Sequence, residues 1–94
     1  MSEETQRWWV YLLQCSDQTL YAGITTDLNR RVQEHNGEVR GGARYTRARR
    51  PVRLVWSESS RSRSAASQRE AAVRKLSRSQ KEQLIQCGSK GQST

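Results

Sequence analysis

The chain has 94 residues, 33% of them hydrophobic and none of them Phe, so three Trp and three Tyr supply its large side chains and one domain with a modest core is expected. Lys and Arg total 17 against 9 Asp and Glu, a net charge of +8, which points to a polyanionic partner, nucleic acid first, and disfavours a membrane surface because no basic helix carries a strong apolar face. Two distant cysteines, Cys15 and Cys87, with no signal-peptide pattern and no apolar run of bilayer length, lead to the expectation of a reduced, cytoplasmic protein.

Residues 1–7 are polar and expected to be flexible. Trp8 to Gln14 is rich in aromatic and branched residues and predicts a strand. Ser16-Asp17-Gln18 predicts a turn, and Thr19 to Ile24 a second strand, antiparallel to the first because the connection is short. Gly23, late in that strand, marks a bulge or a close backbone approach.

Thr25-Thr26-Asp27 offers oxygen acceptors for the free amides of a helix start. Leu28, Arg31, Val32 and His35 then fall at i, i+3, i+4 and i+7, on one helix face. Leu28 and Val32 can anchor that face, with Arg31 and His35 on its flank, and Gly37 is a natural stop. Residues 40–53 hold Arg40, Arg44, Arg47, Arg49, Arg50 and Arg53 and no acid. With Gly41, Gly42 and Pro51 they read as a loop that becomes ordered on binding.

Val52, Leu54 and Trp56 alternate, predicting a third strand, and the Ser- and Arg-rich residues 57–64 a loop. Ala65, Arg69, Ala72, Val73 and Leu76 form the stripe of a second helix. Ser79 with Glu82 three residues on signals the capping box of a third, ending near Cys87-Gly88. Residues 88–94 are expected to be a disordered tail. The order strand, strand, helix, strand, helix, helix gives a single α+β domain over 8–87, a small three-stranded sheet flanked by helices.

With Val10-Tyr11-Leu12 and Tyr21-Ala22-Gly23 on consecutive strands, Thr-Asp-Leu-Asn-Arg-Arg opening the next helix and Gln68-Arg69-Glu70-Ala71-Ala72 downstream, residues 8–86 resemble the GIY-YIG nucleases. The chain looks most like the short stand-alone bacterial members. Arg-Arg-Val-Gln-Glu-His-Asn-Gly (30–37) is also similar to the nuclease subunit of structure-specific junction endonucleases. The first motif keeps only its tyrosine, and Ile24 stands where repair-type members carry a lysine. The resemblance implies the GIY-YIG fold and metal-assisted endonucleolytic hydrolysis of DNA phosphodiesters, structure-selective in repair or recombination. Its carried-over site is Tyr11, Tyr21, Arg31 and His35, with Glu70 as the ligand of one divalent ion, Mg²⁺ or alternatively Mn²⁺. No other cofactor is implied, and a protein scaffold partner is a further option.

The residue chemistry is consistent with that site. A single carboxylate can hold a hydrated Mg²⁺, and a guanidinium fork suits phosphate oxygens. A free phenol ionises near pH ~10, so Tyr21 as general base needs a cation beside it. His35, as a histidine, is an electrostatically easier base or relay. Each residue also has a plain reading. The tyrosines are ordinary strand residues taken singly, and Arg31 and His35 ordinary helix residues. Glu70 suits a capping box with Ser67 or an i, i+4 pair with Arg74, unless the helix starts near Ser64 and leaves it inside. Asp17 and Glu34 read as surface charges. Arg30, Arg40, Arg44, Arg47, Arg49 and Arg50 are expected to track the DNA backbone. The alternative to an endonuclease is a non-catalytic module that binds DNA or RNA through the same arginines.

Overall fold

Strand β1 (Trp8–Gln14) carries apolar side chains at successive positions, so both of its faces can be covered, and it is the central strand of a three-stranded antiparallel sheet. The computed structural model describes residues 7–93; residues 1–6, within the expected flexible N-terminus, and residue 94 lie outside them. Strand β2 (Leu20–Thr25) pairs on one side of β1 with Tyr11 opposite Gly23 and Leu13 opposite Tyr21. Strand β3 (Arg53–Ser60) pairs on the other side. Asp17 holds the β1–β2 turn by accepting from the Thr19 amide at 3.1 Å and the Thr19 hydroxyl at 2.6 Å.

Side-chain alternation along β1 sorts the core into two layers. Val10 and Leu12 face helix α3 (Arg63–Arg74), packing with Trp56, Ala66 and Val73. Tyr11, Leu13 and Cys15 face the other way, packing with Val52, Tyr21 and helix α1 (Leu28–His35) through Leu28 and Val32. Fully covering an aliphatic side chain contributes about 1.5–3 kcal/mol. A one-residue slip of β1 would exchange Tyr11 with its aliphatic neighbours, so the core fixes which face the tyrosine serves.

Helix α1 starts where expected: Asp27 accepts from the Arg30 amide at 3.1 Å. It ends as expected before Gly37, which takes φ +80°. Elsewhere the structure corrects the sequence. Residues 57–60 are the second half of β3, paired with Trp8–Tyr11; polar side chains suit an edge strand open to water. A register shift between Leu12 and Leu13 sends Val52 and Trp56 to opposite layers and leaves Leu54 at the surface, 39% exposed.

Helix α3 is capped by Ser62, which accepts from the Ala65 amide; it buries Val73, as expected, and Ala66 rather than Ala65, while Ala72 is exposed. The next capping box is Ser77 with Gln80, reciprocally bonded at 3.1 and 2.9 Å; Glu82 instead pairs with Arg78. Helix α4 (Arg78–Ser93) runs past Gly88, over residues assigned to a disordered tail; a glycine weakens a helix by about 1 kcal/mol but does not block its hydrogen bonds. Among the described residues, no helix is long and apolar enough to cross a membrane.

The arginine-rich segment is not loose. It contains helix α2 (Arg44–Arg47) and closes onto α1. Asn36 bonds both backbone groups of Val52, at 2.7 and 2.9 Å. Arg50 donates from Nε to the His35 carbonyl at 2.6 Å.

Candidate active site

Four side chains from three elements form one hydrogen-bonded row beneath β2. Arg31 Nε donates to the Tyr11 hydroxyl at 3.3 Å. The Tyr11 hydroxyl lies 3.1 Å from His35 Nε2, and His35 Nδ1 lies 2.7 Å from Thr46 Oγ1. Thr46 Oγ1 is 3.1 Å from the Ala43 carbonyl. Tyr11 is 1% exposed, and His35 and Thr46 are fully covered. The row depends on Gly23: a Cβ there would stand 2.6 Å from the Tyr11 ring carbon Cζ. The second motif needs its glycine so that the phenol of the first can pass beneath it.

Burial decides the charge states. The covered Tyr11 phenol is raised above its ordinary range, and the Arg31 bond and charge, which pull it down, do not compensate. Burial together with the Arg31 and Arg50 charges lowers His35 to about 4, against a weaker opposing pull from Glu34. His35 is therefore neutral at neutral pH. For Arg31, burial works against the charge, but bonds to Glu34 and Tyr11 outweigh it and keep the guanidinium ionised.

Arg31 is held on two sides. Its Nη1 donates to Glu34 Oε1 at 2.6 Å and to the Gly41 carbonyl at 2.8 Å. Nη2 has no partner among the described residues, and the side chain is 27% exposed, so one prong of the fork remains open to a ligand oxygen. Glu34, expected to be a surface charge, instead clamps Arg31 and Arg30; the Arg31 bond holds its carboxyl below the usual range.

Tyr21 packs against the middle of the row, at His35. Its ring meets His35 edge-on at 5.2 Å and stacks on Tyr45 at 5.5 Å, and its hydroxyl has no partner among the described residues. Arg49 also lies over the Tyr45 ring, at 4.1 Å, and bonds Asp17 at 3.0 Å. Asp17 is thus a structural tether, not a stray charge. Tyr45 and Thr46 are the residues the sequence left without a role. The only signal was their place within a run of arginines.

Tyr11, Tyr21, Arg31 and His35 are brought together; Glu70 is not. It lies inside α3, ruling out the Ser67 capping box, and its carboxylate pairs with Arg74. Helix α3 packs on the sheet face opposite the tyrosines. The Glu70 side chain is nevertheless mostly covered, 13% exposed, and α3 packs against the edge strand β2 that carries Tyr21. Of the six basic residues assigned to DNA, Arg30, Arg49 and Arg50 have internal partners. Arg40, Arg44 and Arg47 are exposed and pair with no acid among the described residues.

Residues 7–83 match the family model described as the GIY-YIG catalytic domain. A UPF0213 protein of Desulfotalea psychrophila is 53% identical over 90 residues, 94% of this chain and 81% of that one. Another, from Natronomonas pharaonis, is 54% identical over 78 residues, 82% and 88% of the two chains. The solution NMR structure of a UPF0213 protein from Bacillus halodurans is 43% identical, covers 86% of this chain and 84% of that one, and has a TM-score of 0.55.

Proposed function

The chain belongs to the GIY-YIG family, and from that premise we propose that it is an endonuclease that hydrolyses DNA phosphodiester bonds with the help of one divalent metal ion. The observation that carries this reading is the open prong of Arg31. A guanidinium held ionised and fixed by Glu34, Gly41 and Tyr11 keeps one donor nitrogen unspent, in a row whose His35 ring packs against Tyr21, a tyrosine whose hydroxyl has no partner among the described residues.

In this reading Arg31 Nη2 binds a non-bridging phosphate oxygen, and its charge counters the charge that builds up on the pentacoordinate phosphate. Tyr21 positions the attacking water. Tyr11, kept protonated by burial, holds Arg31 and His35 in place. His35 has no exposed surface and both ring nitrogens bonded, so it positions Tyr11 and does not meet the water. Arg40, Arg44 and Arg47 bind flanking phosphates without reading sequence.

The metal is assigned to Glu70. A single, mostly covered carboxylate suits a hard, hydrated dication, and among the described residues no three His, Cys, Asp or Glu side chains converge as a closed zinc site requires. Mg²⁺ or Mn²⁺ fits such an oxygen donor. When bound, the ion supplies positive charge to the phosphate. Glu70 lies on α3, which packs against the edge strand β2 that carries Tyr21.

A second reading, a nucleic-acid-binding module without turnover, is favoured by one fact: Glu70 is held by Arg74 on the far face of the sheet. Plasmid nicking with and without Mg²⁺, for the native protein and Glu70→Ala, separates the two. Mg²⁺-dependent nicking lost in the variant, with DNA binding retained, supports the nuclease. Salt-sensitive binding by a native protein that never nicks supports the binding module.

A further inference from the structure

We infer that Thr46 is a positioning residue, which fixes the tautomer of His35 and through it the direction of the Tyr11 hydroxyl. The inference starts from Arg31, which can only donate. Its Nε hydrogen is directed at the Tyr11 oxygen. The Tyr11 proton then needs an acceptor inside a covered site, and His35 Nε2, at 3.1 Å, is the one present among the described residues. An accepting Nε2 on a neutral ring leaves the proton on Nδ1. That Nδ1–H donates to Thr46 Oγ1 at 2.7 Å, and the Thr46 proton passes to the Ala43 carbonyl at 3.1 Å.

The opposite polarity fails at one atom. If Thr46 donated to Nδ1, His35 Nε2 would carry the hydrogen and compete with Arg31 for the Tyr11 oxygen. The buried Tyr11 proton would then have no acceptor among the described residues. Leaving a buried hydroxyl unpaired costs more than a typical neutral hydrogen bond, such as the Thr46–His35 one, gains. Donors and acceptors therefore run in one direction, from Arg31 on α1 to the first turn of α2.

Thr46 lies in the arginine-rich segment, so docking of that segment and orientation of Tyr11 are one event. This consequence rests on the nuclease reading above; the tautomer assignment does not. Two measurements keep them apart. In native protein, long-range ¹⁵N–¹H correlation of the His35 ring near neutral pH is expected to show the Nδ1–H form. An Nε2–H pattern would overturn the inference whatever the protein does to DNA. In Thr46→Val the Nδ1 acceptor is gone, and the ring is expected to shift toward Nε2–H.

Nicking by Thr46→Val should fall by about tenfold, the equivalent of one lost hydrogen bond, at unchanged DNA affinity. Thr46→Ser, which keeps the hydroxyl, should restore both the ring pattern and the rate. A folded Thr46→Val with the native ring pattern overturns the inference. So does a Thr46→Ser protein that keeps the Nε2–H pattern. If Thr46→Val does not fold, the native and Thr46→Ser spectra still decide.

Discussion

Gly23 lies opposite Tyr11 in the β1–β2 register, and the phenol occupies the space that a side chain at 23 would need. The pairing ties the two family motifs together by volume: the tyrosine of one requires the glycine of the other. Gly23→Ala should therefore force Tyr11 away from His35. Overpacking of this kind costs about 1–3 kcal/mol, which urea unfolding would read directly. A variant as stable as the native protein, with the His35 ring signals unmoved, would show that the site tolerates the methyl group.

His35 makes stability depend on pH, and the sign is fixed by its depressed pKa. Folded, it titrates near 4; unfolded, it titrates near 6.5. Between those values the unfolded chain binds a proton that the folded chain refuses. The contribution is fully present above the unfolded value and is lost as pH falls through the window. About 2 kcal/mol should disappear between about pH 7 and about pH 5. Glu34 and Asp17, both held below the usual carboxylate range by their bonded partners, Arg31 and Thr19 first among them, lose their contributions only at lower pH. His35→Gln should flatten the upper window. Equal pH slopes in both proteins would assign the dependence to another group.

Arg44 and Arg47 should set the salt dependence of DNA binding. They are exposed and pair with no acid among the described residues, whereas Arg49 is spent on Asp17 and Tyr45. Replacing both Arg44 and Arg47 with Gln should lower the slope of log K against log salt by about two, close to one counterion for each phosphate no longer neutralised. Arg49→Gln should instead loosen the Tyr21–Tyr45 stack and lower stability. An unchanged slope in the double variant removes helix α2 from the interface.

Local signals made the first third of the chain legible. The turn at Asp17, the Asp27 cap, and the i, i+3, i+4, i+7 face of α1 are each set by neighbours in sequence, and they place Tyr11, Tyr21, Arg31 and His35 together. What stayed hidden depends on contacts across the chain. Ser57–Ser60 are polar and read as loop, but β1 supplies hydrogen-bond partners that composition cannot show. The shift at Leu12/Leu13 breaks the alternation that Val52, Leu54 and Trp56 suggested. Thr46 reaches His35 only because Asn36 and Arg50 fold the arginine-rich segment back onto α1. On and just past α3 the pattern marks Val73 and Leu76, both at least partly covered, but the helix's alanines lie on both sides of the true stripe, so hydrophobicity alone could not choose Ala66 over Ala65.

The two tyrosines should part company when each loses its hydroxyl. The Tyr11 oxygen accepts from Arg31 and its proton bonds His35, in a site with almost no exposed surface. Tyr11→Phe strands a guanidinium hydrogen and a ring nitrogen together, so a loss of about 1–3 kcal/mol is expected. The Tyr21 hydroxyl has no partner among the described residues, and its ring contacts to His35 and Tyr45 survive in a phenylalanine. Tyr21→Phe should shift stability by less than about 0.5 kcal/mol. Its nicking rate should nevertheless fall by about a hundredfold or more, the scale expected when a group that handles the attacking water is removed. Thermal unfolding and single-turnover nicking on the same preparations give both axes. A Tyr21→Phe protein that nicks at the native rate would remove this phenol from the chemistry, leaving Arg31 and the metal to act without it.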